Sequence, residues 1–160
     1  MFIRRPLHYC RSVYSTPSLD PIRVLVVDHN RILRDGICVL IGMEPNIELV
    51  GAVATADSAL MLFNRERPDL TLIDLDLQAG NGLEVIRRIR ESDPAAWLIA
   101  LATDEWDECS PRALAGGASC VIAKDLIGER LLPTIRSSWA KMAGKTFIAP
   151  KRALRKLAAR

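Results

Sequence analysis

The sequence predicts an α/β fold: a doubly wound parallel sheet of five strands, (βα)5, with helices on both faces. Three observations carry this. Short apolar runs alternate with amphipathic stretches five times between residues 21 and 142. The runs are continuously apolar, as strands buried on both faces require. Some end abruptly on polar residues, as in RVLVVDHNR at 23–31, where four apolar residues run into Asp28 and His29.

Residues 22–28 (IRVLVVD) are β-branched and bounded, and read as the first strand. Residues 30–42 place Ile32, Leu33, Ile37, Leu40 and Ile41 near one helical face. Residues 47–53 (IELVGAV) are a second strand, and 55–66 a helix with Thr55 as its N-cap. Residues 69–75 (DLTLIDL) are the third strand. In the helix at 82–91, Leu83, Ile86 and Ile89 recur at helical spacing with three arginines outside. Residues 97–102 (WLIALA) follow, then a helical stretch within 104–116. Pro111 cannot occupy a helix interior, so that helix is expected to start at Pro111 with Ser110 as cap. Residues 120–123 (CVIA) and a helix over about 126–142 complete the fifth unit. Strands alternating with helices imply right-handed βαβ crossovers. Five such units suit the flavodoxin-like order 2-1-3-4-5, with its ligand crevice at the carboxyl ends of strands one and three.

The chain of 160 residues is the size of one domain. Its net charge of +3 hides an asymmetry. Residues 21–140 hold 12 basic and 18 acidic residues, whereas 141–160 hold seven basic residues and no acid. Residues 1–20, Arg-bearing and acid-poor, are read as a flexible leader outside the fold, and 143–160 as a basic, linker-like tail able to form a short helix. No stretch is long and apolar enough to span a membrane. Cys10, Cys38, Cys109 and Cys120 form no CxxC pair, and Cys38 and Cys120 read as small buried hydrophobes, which fits a reducing cytoplasm.

Chemistry concentrates at the strand ends. Asp28 ends strand one, Asp74 ends strand three, and Lys124 ends strand five. Two carboxylates and an ammonium would meet in one crevice, with Gly80 and Gly82 in the loop after Asp74. A carboxylate is a competent nucleophile towards phosphorus, and an ammonium or a divalent cation neutralises phosphoryl oxygens. The structural alternative is that the acids cap loops and Lys124 pairs with them. Three such residues, each ending its own strand, favour the functional reading. A flavin phosphate would need a loop rich in Gly, Ser or Thr after strand one, and HNRILRD is not one. A GxGxxG fingerprint is also absent.

At these residues the chain resembles the receiver domain of two-component response regulators, over roughly residues 21–140. The segments VVDHNRILRDGI, RPDLTLIDLDLQAGNGLEVIRRIR and GGASCVIAKD are similar to the NarL/FixJ (LuxR-type) subfamily. The resemblance implies a phosphorelay protein, not an enzyme. It makes Asp74 the phosphoacceptor, charged by a histidine kinase or phosphotransfer protein, and Lys124 the phosphoryl contact. It also implies Mg²⁺ held by Asp28, the residue at position 29, Asp74 and the backbone carbonyl of Asp76. A homodimer or a complex with another regulator is implied by resemblance alone.

The chain departs from that pattern at several positions. His29 stands where the family has a second acid, and imidazole is a poor ligand for Mg²⁺. RVLVVDHNR therefore reads as a damaged magnesium site with a partly solvated histidine; a redesigned transition-metal site rests on one histidine and two carboxylates. Ala102 lacks the hydroxyl expected at the end of strand four. Val121 replaces an aromatic. The expectation is an atypical receiver whose phosphorylation at Asp74 is weak, metal-altered or absent. The alternative is a phosphorylation-independent interaction module with a receiver fold.

In the subfamily a helix-turn-helix domain follows the receiver, but KTFIAPKRALRKLAAR leaves no length for one. The expectation is a stand-alone receiver or a chain cut short. Sequence-specific DNA binding is not expected, and a solvated linker is favoured over nucleic-acid contact for the tail.

Overall fold

A computed structural model describes residues 21–77, 82–103 and 108–145, with side chains as far as Lys141. The leader 1–20, most of the tail, Gly80, Cys10 and the start of the predicted fourth helical stretch lie outside the described residues. The strands are β1 (Ile22–Val27), β2 (Ile47–Val53), β3 (Leu70–Asp74), β4 (Trp97–Ala102) and β5 (Cys120–Ala123). The helices are α1 (Arg31–Gly42), α2 (Ala56–Glu66), α3 (Gly82–Ser92), α4 (Cys109–Ala115) and α5 (Ile127–Lys145). A 3-10 turn, Lys124–Leu126, leads from β5 into α5. All neighbouring strands pair in parallel, in the order β2-β1-β3-β4-β5, as predicted.

Successive side chains of a strand point to opposite faces. Val24 and Val26 therefore pack with Ile37, Ile41, Leu131 and Ile135 beneath α1 and α5. Leu25 and Val27 pack with Phe63, Ile86 and Ile89 beneath α2 and α3. The central strand β3 is buried at every residue. Caps fix two helix starts. Asn30 Oδ1 accepts the N–H groups of Ile32 and Leu33 at 3.0 and 3.2 Å. Thr55 Oγ1 accepts the Ser58 N–H at 3.3 Å, as its N-cap assignment predicts.

Five details differ from the sequence reading. Ile32 is 86% exposed while Ile37 and Ile41 are fully buried. It lies about 140° round the helix from Ile37, so it joins Val39 and Met43 on the outer face. Helix α4 starts at Cys109 rather than Pro111, and Ser110 is not its cap. Pro111 is tolerated there because first-turn N–H groups have no intrahelical acceptor. Arg90 is not a solvated face residue: its guanidinium donates to the Gly117 carbonyl at 3.1 and 2.6 Å, bracing a turn whose φ is +111°. Cys38 and Cys120 are free thiols that are half-buried, not fully enclosed. Helix α5 runs to Lys145, past its predicted end at 142. Among the described residues no helix is long and apolar enough to cross a membrane.

Candidate functional site

The parallel register delivers the site. Val27 pairs with Ile73, so Asp28 and Asp74 leave the sheet side by side. Ala102 pairs with Ala123, and Lys124 follows immediately. Asp28 and Asp74 are both fully buried, an arrangement that carboxylates tolerate only with partners.

Asp74 has them. Its Oδ1 accepts the Lys124 ammonium at 2.7 Å and the Asp76 N–H at 2.9 Å. Its Oδ2 lies 2.6 Å from His29 Nδ1. An ionised carboxylate only accepts, so the proton of this bond sits on Nδ1. Burial pushes the Asp74 carboxyl up, but the Lys124, Asp76 and His29 hydrogen bonds outweigh it and hold the group below its ordinary value. Asp74 is thus a carboxylate at neutral pH.

Asp28 is less well served. Its Oδ1 accepts the Asn30 N–H at 2.7 Å. Its Oδ2 is buried without a hydrogen bond; the Lys124 ammonium stands off at 3.4 Å. Burial and then the charge of Asp74 raise the Asp28 carboxyl, and the Asn30 N–H and Lys124 recover only part of that. The two neighbouring acids therefore shift in opposite directions.

Three residues outside the predicted set position this pair. Arg34 donates to the Asp28 carbonyl at 2.6 Å and holds the Asp28–His29 backbone from α1. Asn30 joins the Asp28 carboxylate to the start of α1. Gly82 opens α3 against the end of β3: a Cβ there would stand 2.0 Å from the Asp74 carbonyl oxygen. The glycine was visible as a loop residue, and Asn30 as a cap-type residue before an apolar helix. Arg34 carried no signal, because its partner is a main-chain atom.

His29 is 27% exposed, so the partly solvated ring of the sequence reading describes its outer edge, while Nδ1 points into the pocket. One donor atom from each of Asp28, His29 and Asp74 lies within 4.8 Å of the others. Asp76 is exposed and takes part through its N–H. Ala102 is fully buried at the end of β4 and offers the pocket no hydroxyl. Val121 is half-buried against the core beneath α2 to α4.

Known proteins share this frame. The family model for the response regulator receiver domain matches residues 24–136. The nitrate/nitrite response regulator protein NarL of Escherichia coli K12 is 31% identical over 121 residues, 76% of this chain and 56% of that protein. The transcriptional activator DevR/DosR of Mycobacterium tuberculosis is 29% identical over 115 residues, 72% of this chain and 53% of that one. The chain spans about half the length of these curated relatives. A LuxR-family two-component response regulator from Aurantimonas sp. SI85-9A1 superposes with a TM-score of 0.71 at 29% identity, covering 76% of this chain and 86% of that one. The response regulator domain of Thermotoga maritima CheB gives 0.67 at 25% identity, covering 73% and 95%. The matched span runs from β1 into α5 and includes Asp28, His29, Asp74 and Lys124; with its sheet order and its buried carboxylates at the β1 and β3 ends, this chain belongs to the response regulator receiver domain family.

Proposed function

We propose that this chain accepts a phosphoryl group on Asp74 from a histidine kinase or phosphotransfer protein in a two-component phosphorelay. The observation that carries the reading is a fully buried, ionised Asp74 in contact with the Lys124 ammonium at 2.7 Å. A carboxylate oxygen attacks phosphorus, the P–N bond of the donor phosphohistidine breaks, and an acyl phosphate forms. Oδ1 is engaged by two donors and Oδ2 by His29 alone, which favours Oδ2 as the nucleophile once the imidazole turns aside. Lys124 then neutralises part of the charge on the phosphoryl oxygens.

The family implies Mg²⁺ in this pocket. The orphaned Asp28 Oδ2 fits a cation, but the donor set does not fit this one. Mg²⁺ takes oxygen ligands in strict octahedral geometry, and His29 presents a nitrogen. Ala102 and Val121 supply neither a hydroxyl nor a ring to carry the phosphorylation signal from the pocket through β4 and β5. These same residues and His29 are the reason to keep an alternative in view, an interaction module that works without phosphate, which the family match does not favour.

Intact mass after incubation with acetyl phosphate tests the reading, with Mg²⁺, with Mn²⁺ and with EDTA. An adduct absent from D74A supports phosphoryl transfer. A folded protein that gains no adduct under any of these conditions refutes it in favour of the docking module.

A further inference from the structure

We propose that Asp28, His29 and Asp74 form a site for a first-row divalent transition metal of the Co²⁺ or Zn²⁺ type, and that the site discriminates against Mg²⁺. The inference concerns the unphosphorylated pocket and does not depend on whether Asp74 can accept phosphate.

Four observations support it. The three residues leave the ends of two adjacent strands, and one donor atom from each lies within 4.8 Å of the others. Asp28 is fully buried and its Oδ2 has no hydrogen-bond partner, the Lys124 ammonium in ion-pair contact at 3.4 Å being, among the described residues, its one neighbouring charge of opposite sign. A bound dication would satisfy that oxygen directly. The His29 ring turns Nδ1 inwards, 2.6 Å from Asp74 Oδ2, so the nitrogen is aimed at the carboxylates. Finally, Lys124 uses Asp74 Oδ1, which leaves Oδ2 for a metal without breaking the 2.7 Å ion pair.

The chemistry of the donors sets the preference. One imidazole nitrogen and two carboxylate oxygens suit Zn²⁺, Co²⁺ or Ni²⁺, whereas Mg²⁺ is held by oxygen and gives up water reluctantly. When the metal enters, the proton on Nδ1 leaves for Nε2 or for solvent, and the nitrogen lone pair takes its place on the metal. Arg34 of α1, on the Asp28 carbonyl, and the N-cap Asn30, on the Asp28 carboxylate, hold Asp28 in position.

Calorimetric titration of the EDTA-treated, dialysed full chain with CoCl₂ and separately with MgCl₂ tests the proposal, with the visible d–d spectrum of bound Co²⁺ as a second readout. Wild type is expected to bind Co²⁺ at least about 100-fold more tightly than Mg²⁺. His29→Asp restores an all-oxygen set and is expected to lower that ratio at least about tenfold, chiefly by gaining Mg²⁺. His29→Ala is expected to lose Co²⁺ affinity at least about tenfold and to gain no Mg²⁺. Circular dichroism confirms that each variant is folded. The proposal is overturned if folded wild type binds no Co²⁺, if it binds Mg²⁺ as tightly as His29→Asp does, or if the ratio is the same in both. Co²⁺ binding that survives His29→Ala and shows a thiolate-to-cobalt charge-transfer band also overturns it, because the metal is then on the cysteines.

Discussion

Replacing Asp28 with asparagine is expected to stabilise this protein at neutral pH. The carboxylate is fully buried, one oxygen has no hydrogen bond, and the charge of Asp74 is close by. A buried acceptor left unpaired costs about 1–3 kcal/mol. Asparagine keeps an oxygen to accept the Asn30 N–H and removes the charge, so desolvation and the repulsion from Asp74 both fall. It also gives up the attraction of Lys124, which at 3.4 Å is the weaker of that residue's two contacts. Because the Asp28 carboxyl is raised in the folded state, the unfavourable terms win. The expected gain is about 1–2 kcal/mol, read as a higher urea midpoint in EDTA. The pH dependence supplies a second check. A raised carboxyl contributes stability only when protonated, and loses it as pH rises through its folded value. The gap between D28N and wild type should therefore be full at pH 7 and close as pH falls towards and below the ordinary value of 3.8. A variant less stable than wild type at pH 7, or a gap that persists in acid, would refute the reasoning.

Lys124→Met leaves two buried carboxylates without their shared ammonium, and unfolding in urea should show a loss of about 3 kcal/mol. Asn30→Ala removes the acceptor for two first-turn N–H groups of α1, and the denaturation midpoint should fall by about 1 kcal/mol. Gly82→Ala drives a methyl into the Asp74 carbonyl at 2.0 Å, where backbone must move; thermal unfolding should show a cost of about 2 kcal/mol or more, and an unchanged midpoint would contradict the packing.

The fold was legible because its signals are local. Continuous apolar runs set the strands, and all five follow the predicted spans within a residue at each end or match them outright. Thr55 announced its helix by side-chain chemistry. The same locality misled at Ile32, where an apolar residue adjacent to a periodic set was counted with it although the helix turns it outwards. At Pro111 the rule against helix-interior proline was applied correctly but placed the start too late, since the first turn has room for it at the third residue.

By itself the sequence determined the order of elements, the placement of Asp28, Asp74 and Lys124 at strand ends, and the departure at His29. These follow from composition and period along the chain. Tertiary structure decided how those groups share their charges. Lys124 sits closer to Asp74 than to Asp28, His29 Nδ1 faces the pocket, and Asp28 Oδ2 is left without a hydrogen bond. The physical reason is distance. Hydrogen bonds and ion pairs are won or lost over fractions of an ångström between residues far apart in sequence, and only the packing of the helices on both faces of the sheet sets those separations.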